Sequence, residues 1–232
     1  MNTNWIKIVF LFCIKFQSAC FAQSYCTLYP KECTFTSDFF TEHKEKFEGA
    51  AKITGLSSSF LFAIVAPEVS QYSYLRDKLE TNSLKVMYVQ GGSEYANFSI
   101  GYFQMKPSFV EQLEELIQAD SLLRRKYRDC LFVIPQERAA RVTRIERLST
   151  IEWQIKYLEI FCGIVQKRFK DIVFINNEER LQFFAAAYNC GFYKSEQQIK
   201  KTEQLALFPH FSQKKFRYSD VSKLFYQQLI QK

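Results

Sequence analysis

Residues 60–66, Phe-Leu-Phe-Ala-Ile-Val-Ala, are apolar without a break, and the run ends on Pro67-Glu68. A helix with this sequence is apolar all round and has no face to give to water. It must sit at the centre of a core supplied by the rest of the chain. Ser57-Ser58-Ser59 provides the start signal, because a hydroxyl there accepts from the first unsatisfied N–H groups. Pro67 kinks the helix or ends it, so the expected range is Phe60 to Glu68. Any fold open to this chain has to wrap other apolar elements round this one.

Those elements read as helices. The chain has 232 residues, 47% of them hydrophobic, enough for one sizeable core. Phe39 to Ile53 has helical spacing and ends at Gly55. Pro107 suits the first turn of a helix bearing Phe109, Val110, Leu113, Leu116 and Ile117. Ser149-Thr150-Ile151-Glu152 matches a capping box. The helix it starts carries apolar residues on two faces, up to Phe169, and reads as central. Asn176 can cap a helix with Leu181, Phe184, Ala185 and Tyr188, which Asn189-Cys190-Gly191 ends. Val221 to Ile230 closes the chain as a last amphipathic helix. Residues 70–100 read as irregular, with a turn at Gly91-Gly92. Strand-like alternation is scarce, so the expected fold class is mainly α. Arg138, Arg141, Arg144 and Arg147 repeat every three residues and read mainly as a solvated helix face.

The N-terminus reads as a targeting segment. A short n-region with Lys7 precedes the apolar run Ile8 to Ile14, and Cys20-Phe21-Ala22 offers small residues where a signal peptidase reads. Residues 1–22 are expected to be a signal peptide, residues 23–44 a Cys-containing lead-in, and 45–232 the main domain. A lipoprotein signal acylated at Cys20 is the alternative, and membrane attachment is expected only in that case. The net charge is +7, and losing Lys7 and Lys15 with the segment lowers it by two. The balance suits an anionic polymer, but no basic cluster is dense enough to indicate nucleic acid. Export to an oxidising compartment makes the cysteines disulfide candidates. Cys26 and Cys33, closing a short loop round Pro30, are the expected pair, and Cys130 with Cys162 a second. Cys190 is then left as a buried thiol. Having only His43 and His210 argues against a His-built metal site or a Ser-His-Asp triad, and no metal or cofactor is expected.

Three short segments carry chemistry. In the first, Glu68 closes the apolar helix. A carboxyl placed there without a partner is disfavoured in its charged form, and a carboxyl kept protonated can serve as a general acid. A loop cap or a pair with Arg76 is the plainer reading. The second is Ser99 to Ser108, where a Gly turn, an aromatic pair and Gln104 precede the Pro107 helix. A Gln amide both donates and accepts, which suits sugar hydroxyls and acetamido groups. The third is Ala185 to Gly191, with Tyr188 and Asn189 at a helix end, where a helix cap and a core Tyr are the plainer reading.

Taken in order, Glu68, Gly101-Tyr102-Phe103-Gln104-Met105 and Ala187-Tyr188-Asn189-Cys190-Gly191 resemble the lysozyme-like lytic transglycosylases of the soluble murein type, relatives of the goose-type lysozymes. Phe216 to Val221 resembles the segment before that family's last helix. The resemblance spans about residues 45–230. It implies a lysozyme-like α-helical domain, with an irregular or short β-containing insertion between the Glu68 helix and the Gly101 turn. It implies an exported enzyme, periplasmic or extracellular or an outer-membrane lipoprotein, acting on peptidoglycan strands. Glu68 would be the single acid/base that cleaves the MurNAc-GlcNAc β-1,4 bond with 1,6-anhydro ring formation. Ser70, Tyr102, Phe103, Gln104, Tyr188 and Asn189 would bind substrate, with Tyr188 orienting Glu68. The family has Ser directly after the Glu; here Val69 stands there and Ser70 is one residue further on. Phe103 replaces Met, and the stretch from Glu68 to Gly101 is long. A helper carboxylate among Asp77, Glu80 and Glu94 would favour hydrolysis, as in a lysozyme. The other class of reading is a non-catalytic glycan-binding or envelope structural protein on the same fold.

Overall fold

The computed structural model describes residues 25–72, 74–210 and 212–231, with the backbone alone over 74–82. The signal-peptide reading of residues 1–22, the Cys20 alternative and the side chains of Arg76, Asp77 and Glu80 fall outside these residues. The chain is mainly helical. In order it forms α1 (Pro30–Thr54), α2 (Ser58–Gln71), α3 (Tyr74–Gly91), α4 (Pro107–Ala119), α5 (Ser121–Lys126), a 3-10 turn at Arg128–Cys130, α6 (Arg138–Leu148), α7 (Ile151–Arg168), α8 (Asn177–Cys190) and α9 (Glu196–Glu203). Two short antiparallel strands, β1 (Ala206–Phe208) and β2 (Phe216–Arg217), precede α10 (Tyr218–Ile230).

The described residues fall into two compact units. The first takes residues up to Glu42, with Phe62–Ser70 and everything from Val173; the second takes His43–Leu61 and Gln71–Ile172.

In the first unit the core is the apolar run of α2 together with α8, α9 and α10. Phe62 to Ala66 have no exposed surface, and Phe39 and Phe40 of α1 set their rings 6.2 and 4.9 Å from that of Phe62. Both α9 and α10 pack on α8, whose small residues Ala185, Ala186 and Ala187 are all buried and allow close approach. Asn176 caps α8 by accepting from the Glu179 N–H at 2.9 Å. Gly191 ends the helix at φ +106°. A disulfide joins Cys26 to Cys33 across the start of α1.

The second unit is built on α7, which is buried along most of its length, as its two apolar faces require. It packs against α4 and α6, and α3 packs against α6. Pro107 stands at the first turn of α4.

Several boundaries differ from expectation. The α1 helix starts at Pro30 instead of Phe39, so much of the Cys-containing lead-in is helical. The α2 helix does not end at Pro67 but runs to Gln71. The expected irregular or β-containing insertion is replaced by a helix, since most of the stretch to Gly101 is α3. Its residues from Tyr74 to Gln90 include no Gly or Pro and many good helix formers, but no clear apolar period. Thr150, without Ser149, is the N-cap of α7, and its hydroxyl bonds back to the Arg147 carbonyl and does not cap. The last helix begins at Tyr218, three residues before Val221.

Candidate active site

Pro67 lies inside α2, where it lacks the N–H that would bond the carbonyl of Ala63, one turn back. Such a break costs about 3 kcal/mol in an exposed helix. Burying Phe60, Leu61, Phe62, Ile64 and Val65 contributes on the order of 10 kcal/mol, so the helix persists through the break. The bare carbonyl is also filled. Ser222 Oγ of α10 donates to Ala63 O at 2.5 Å, and one turn earlier in α10 Tyr218 Oη donates to Ile64 O at 3.1 Å. The last turn of α2 is tied a second time. Ser70 Oγ donates to Pro67 O at 2.6 Å and shares a 2.5 Å hydrogen bond with Tyr25 Oη. Tyr25 is fully buried, packs edge-on against Phe216 and Phe225, and adjoins the disulfide at Cys26.

These ties fix the backbone on both sides of Glu68. Its neighbours Ala66, Pro67, Val69 and Ser70 are buried or nearly so, while Glu68 itself is half-buried. Burial pushes the Tyr218 hydroxyl well above its ordinary range, and the nearby groups Glu68, Tyr188 and Tyr25 push in the same direction. Tyr218 therefore remains a protonated donor. The same interactions bring Glu68, Tyr188 and Tyr25 within electrostatic reach of one phenol. Tyr188 is half-buried near the end of α8, and Asn189 beside it is exposed. Ser70 differs from its expected role. It is 2% exposed and committed to Tyr25 and Pro67, so it holds the helix end and does not face a ligand.

The Gly101 turn belongs to the second unit. Ile100 and Met105 pair across it through bonds of 2.9 and 3.2 Å. Two residues take left-handed backbone, Gly101 at φ +71° and Gln104 at +49°. Gly101 is required there for space as well: an added Cβ would stand 2.2 Å from Gln154 Nε2. Gln154, on α7 and 1% exposed, accepts from the Phe103 N–H at 2.8 Å and donates to Leu148 O at 2.9 Å, fastening the turn. The Gln104 side-chain amide donates to Gly101 O at 2.8 Å, so one of its donors serves the turn. A non-glycine residue in this region marks strain held by its surroundings. Tyr102 is half-buried, its ring 4.4 Å from that of Tyr72. Phe103 is a correction: it is fully buried, facing Phe47 at 6.1 Å, and a ring with no exposed surface offers no face to a sugar.

The arginine row is not the solvated face that its period suggests. Arg144 is fully buried, bonded in bidentate fashion to Glu114 at 2.7–3.0 Å, with Glu111 at 3.7 Å and Tyr88 Oη at 3.3 Å. Burial pushes the Glu114 carboxyl up, against the pull of Arg144. Arg141 donates to the Val89 and Gln90 carbonyls, and Arg147 to those of Cys130 and Asp129. Together they clamp α6 to α3 and the 3-10 turn. The second disulfide is also overturned, since Cys130 and Cys162 are buried thiols. Burial pushes the Cys130 thiol up to about 12, which leaves it unreactive. Cys190 is half-buried, its thiol also raised by burial. Glu94 is exposed.

Tyr25, Tyr218 and Ser222 were missed in the sequence. Of the three, Tyr218 alone lies in a segment that the sequence singles out, Phe216 to Val221. Comparison with family models, curated proteins and solved structures finds no match to this chain.

Proposed function

We propose that the chain is an exported peptidoglycan lytic transglycosylase of lysozyme-like fold, with Glu68 as its single acid/base. The observation that carries this reading is the construction round Glu68. A half-buried carboxyl sits on a buried helix whose broken ladder is repaired by Ser222, and both it and Tyr188 lie within electrostatic reach of the Tyr218 hydroxyl. A core serving only stability gains nothing from a half-buried carboxyl at that point. A general acid/base gains a fixed position and neighbours that orient its proton.

In the proposed reaction the Glu68 carboxyl gives its proton to the glycosidic oxygen as the bond from that oxygen to the muramyl C1 breaks. The resulting carboxylate takes the proton of the muramyl 6-hydroxyl while that oxygen bonds to C1. The ring closes as a 1,6-anhydro sugar, Glu68 ends protonated as it began, and no water is consumed. One carboxyl therefore does the work that two share in ordinary glycosidases. In this reading Tyr188 orients Glu68 and Asn189 meets the glycan.

The test is clearing of a peptidoglycan suspension by the wild type and by Glu68→Gln, alongside a pull-down on the same insoluble glycan. The reading expects the variant to bind glycan and to lose nearly all clearing. A wild type that binds without clearing assigns the chain to the non-catalytic class.

A further inference from the structure

We infer that the α5 region docks the folded chain on a membrane surface rich in anionic phospholipid, with a lipid phosphate seated among Arg124, Arg125 and Arg128. This is independent of the glycan reading and of any lipid at Cys20, because it rests on α5 and the loop after the 3-10 turn. Those three arginines line one open cavity of about 460 Å³, together with Phe132 and Val133. All three are exposed, and none forms an ion pair with a described residue. Three arginines of α6 are by contrast committed: Arg144 to Glu114, Arg141 and Arg147 to carbonyls. The adjacent acid, Asp129, faces Lys156 at 3.4 Å. Three guanidinium groups round one cavity repel each other unless an anion joins them, and a phosphate matches their planar donors.

The apolar exposure of the same region names the source of that phosphate. Val133 is 101% exposed, Leu122 63% and Ile134 52%. They lie within or beside the stretches that line the cavity. A soluble phosphate compound gives no reason to hold such side chains in water. A bilayer does, since apolar side chains enter the acyl boundary while neighbouring cations meet the headgroups. The floor is firm: the Phe132 ring is covered by the Arg147 and Arg144 guanidinium groups at 4.6 and 5.0 Å.

The experiment is co-sedimentation of the full-length protein with phosphatidylcholine vesicles that contain or lack phosphatidylglycerol, at low salt. Binding should be stronger to the anionic vesicles and fall as salt rises. The triple variant Arg124→Gln, Arg125→Gln, Arg128→Gln should lose about five-fold per residue, on the order of a hundred-fold in all. Its melting temperature should match the wild type, because no described ion pair is removed. Val133→Asp should weaken binding by itself, and millimolar inorganic phosphate should fail to displace the protein. Equal binding to both vesicle types, or a triple variant that binds as the wild type does, overturns the proposal. Displacement by free phosphate overturns it in favour of a soluble anion, and binding to heparin but not to vesicles in favour of a polyanion.

Discussion

Ser222 Oγ donates to the carbonyl oxygen of Ala63 across 2.5 Å, at the place where Pro67 leaves the α2 ladder without a donor. The side chain of one helix stands in for a missing N–H of another. The proline is therefore tolerated one residue before Glu68, and α10 is docked against the turn that carries it.

Ser222→Ala should cost about 1–2 kcal/mol, since it strands a buried carbonyl. Pro67→Ala restores the N–H, so in that background Ser222→Ala should cost much less. Urea unfolding of the four proteins in the cycle measures the coupling. Additive effects would show that Ser222 does not serve the proline break.

Arg144→Met should destabilise by about 3–5 kcal/mol, because Glu114 then lies buried without its countercharge. Adding Glu114→Leu should recover a large part of that loss. Arg138→Met, an exposed neighbour on the same helix, should stay within about 0.5 kcal/mol of the wild type. Denaturant midpoints of the three variants decide it, and equal losses at Arg138 and Arg144 would contradict the buried-pair account.

Gly101→Ala places a Cβ against Gln154 at a left-handed backbone position. It should cost more than about 2 kcal/mol. Gln154→Ala removes the acceptor of the Phe103 N–H and should cost about 1–3 kcal/mol. Thermal melts of both, with Gly49→Ala as the control in open space, test whether this turn is built as described.

Burial raises the Glu203 carboxyl above its ordinary value, and the charges of Asp220 and Glu179 add to the effect. The folded state thus holds that proton more tightly than the unfolded chain does. Its stabilising contribution is complete below the ordinary carboxyl range and is lost as pH rises through the raised value. Glu203→Gln should therefore melt above the wild type at pH 7 and close to it at pH 4. The same difference at both pH values would show that ionisation of Glu203 is not involved.

The central place of α2 was legible from seven apolar residues in a row, and the caps at Ser57 and Asn176 from single residues. What supports the break at Pro67 was not, because its donor Ser222 lies 159 residues beyond Ala63. Local sequence says that proline stops a helix; burial carries the helix through it, and a distant hydroxyl fills the carbonyl left bare. The arginine row failed for the same reason. A period of three resembles a wet helix face until Glu114, 30 residues earlier on another helix, takes Arg144 inside. Ser70 and Phe103 sit at motif positions, but only packing reveals that one bonds Tyr25 and the other faces Phe47. Cys26 and Cys33 were readable because they lie only seven positions apart. Cys130 and Cys162 offered no comparable short loop.

The most direct measurement is mass analysis of soluble fragments released from purified peptidoglycan by the wild type, Tyr188→Phe and Glu68→Gln. The account predicts muropeptides lighter by one water than their reducing-end counterparts. Tyr188→Phe should release far fewer of them, and Glu68→Gln essentially none while still folded. Fragments at the hydrated mass, or wild-type release by Glu68→Gln, would contradict it.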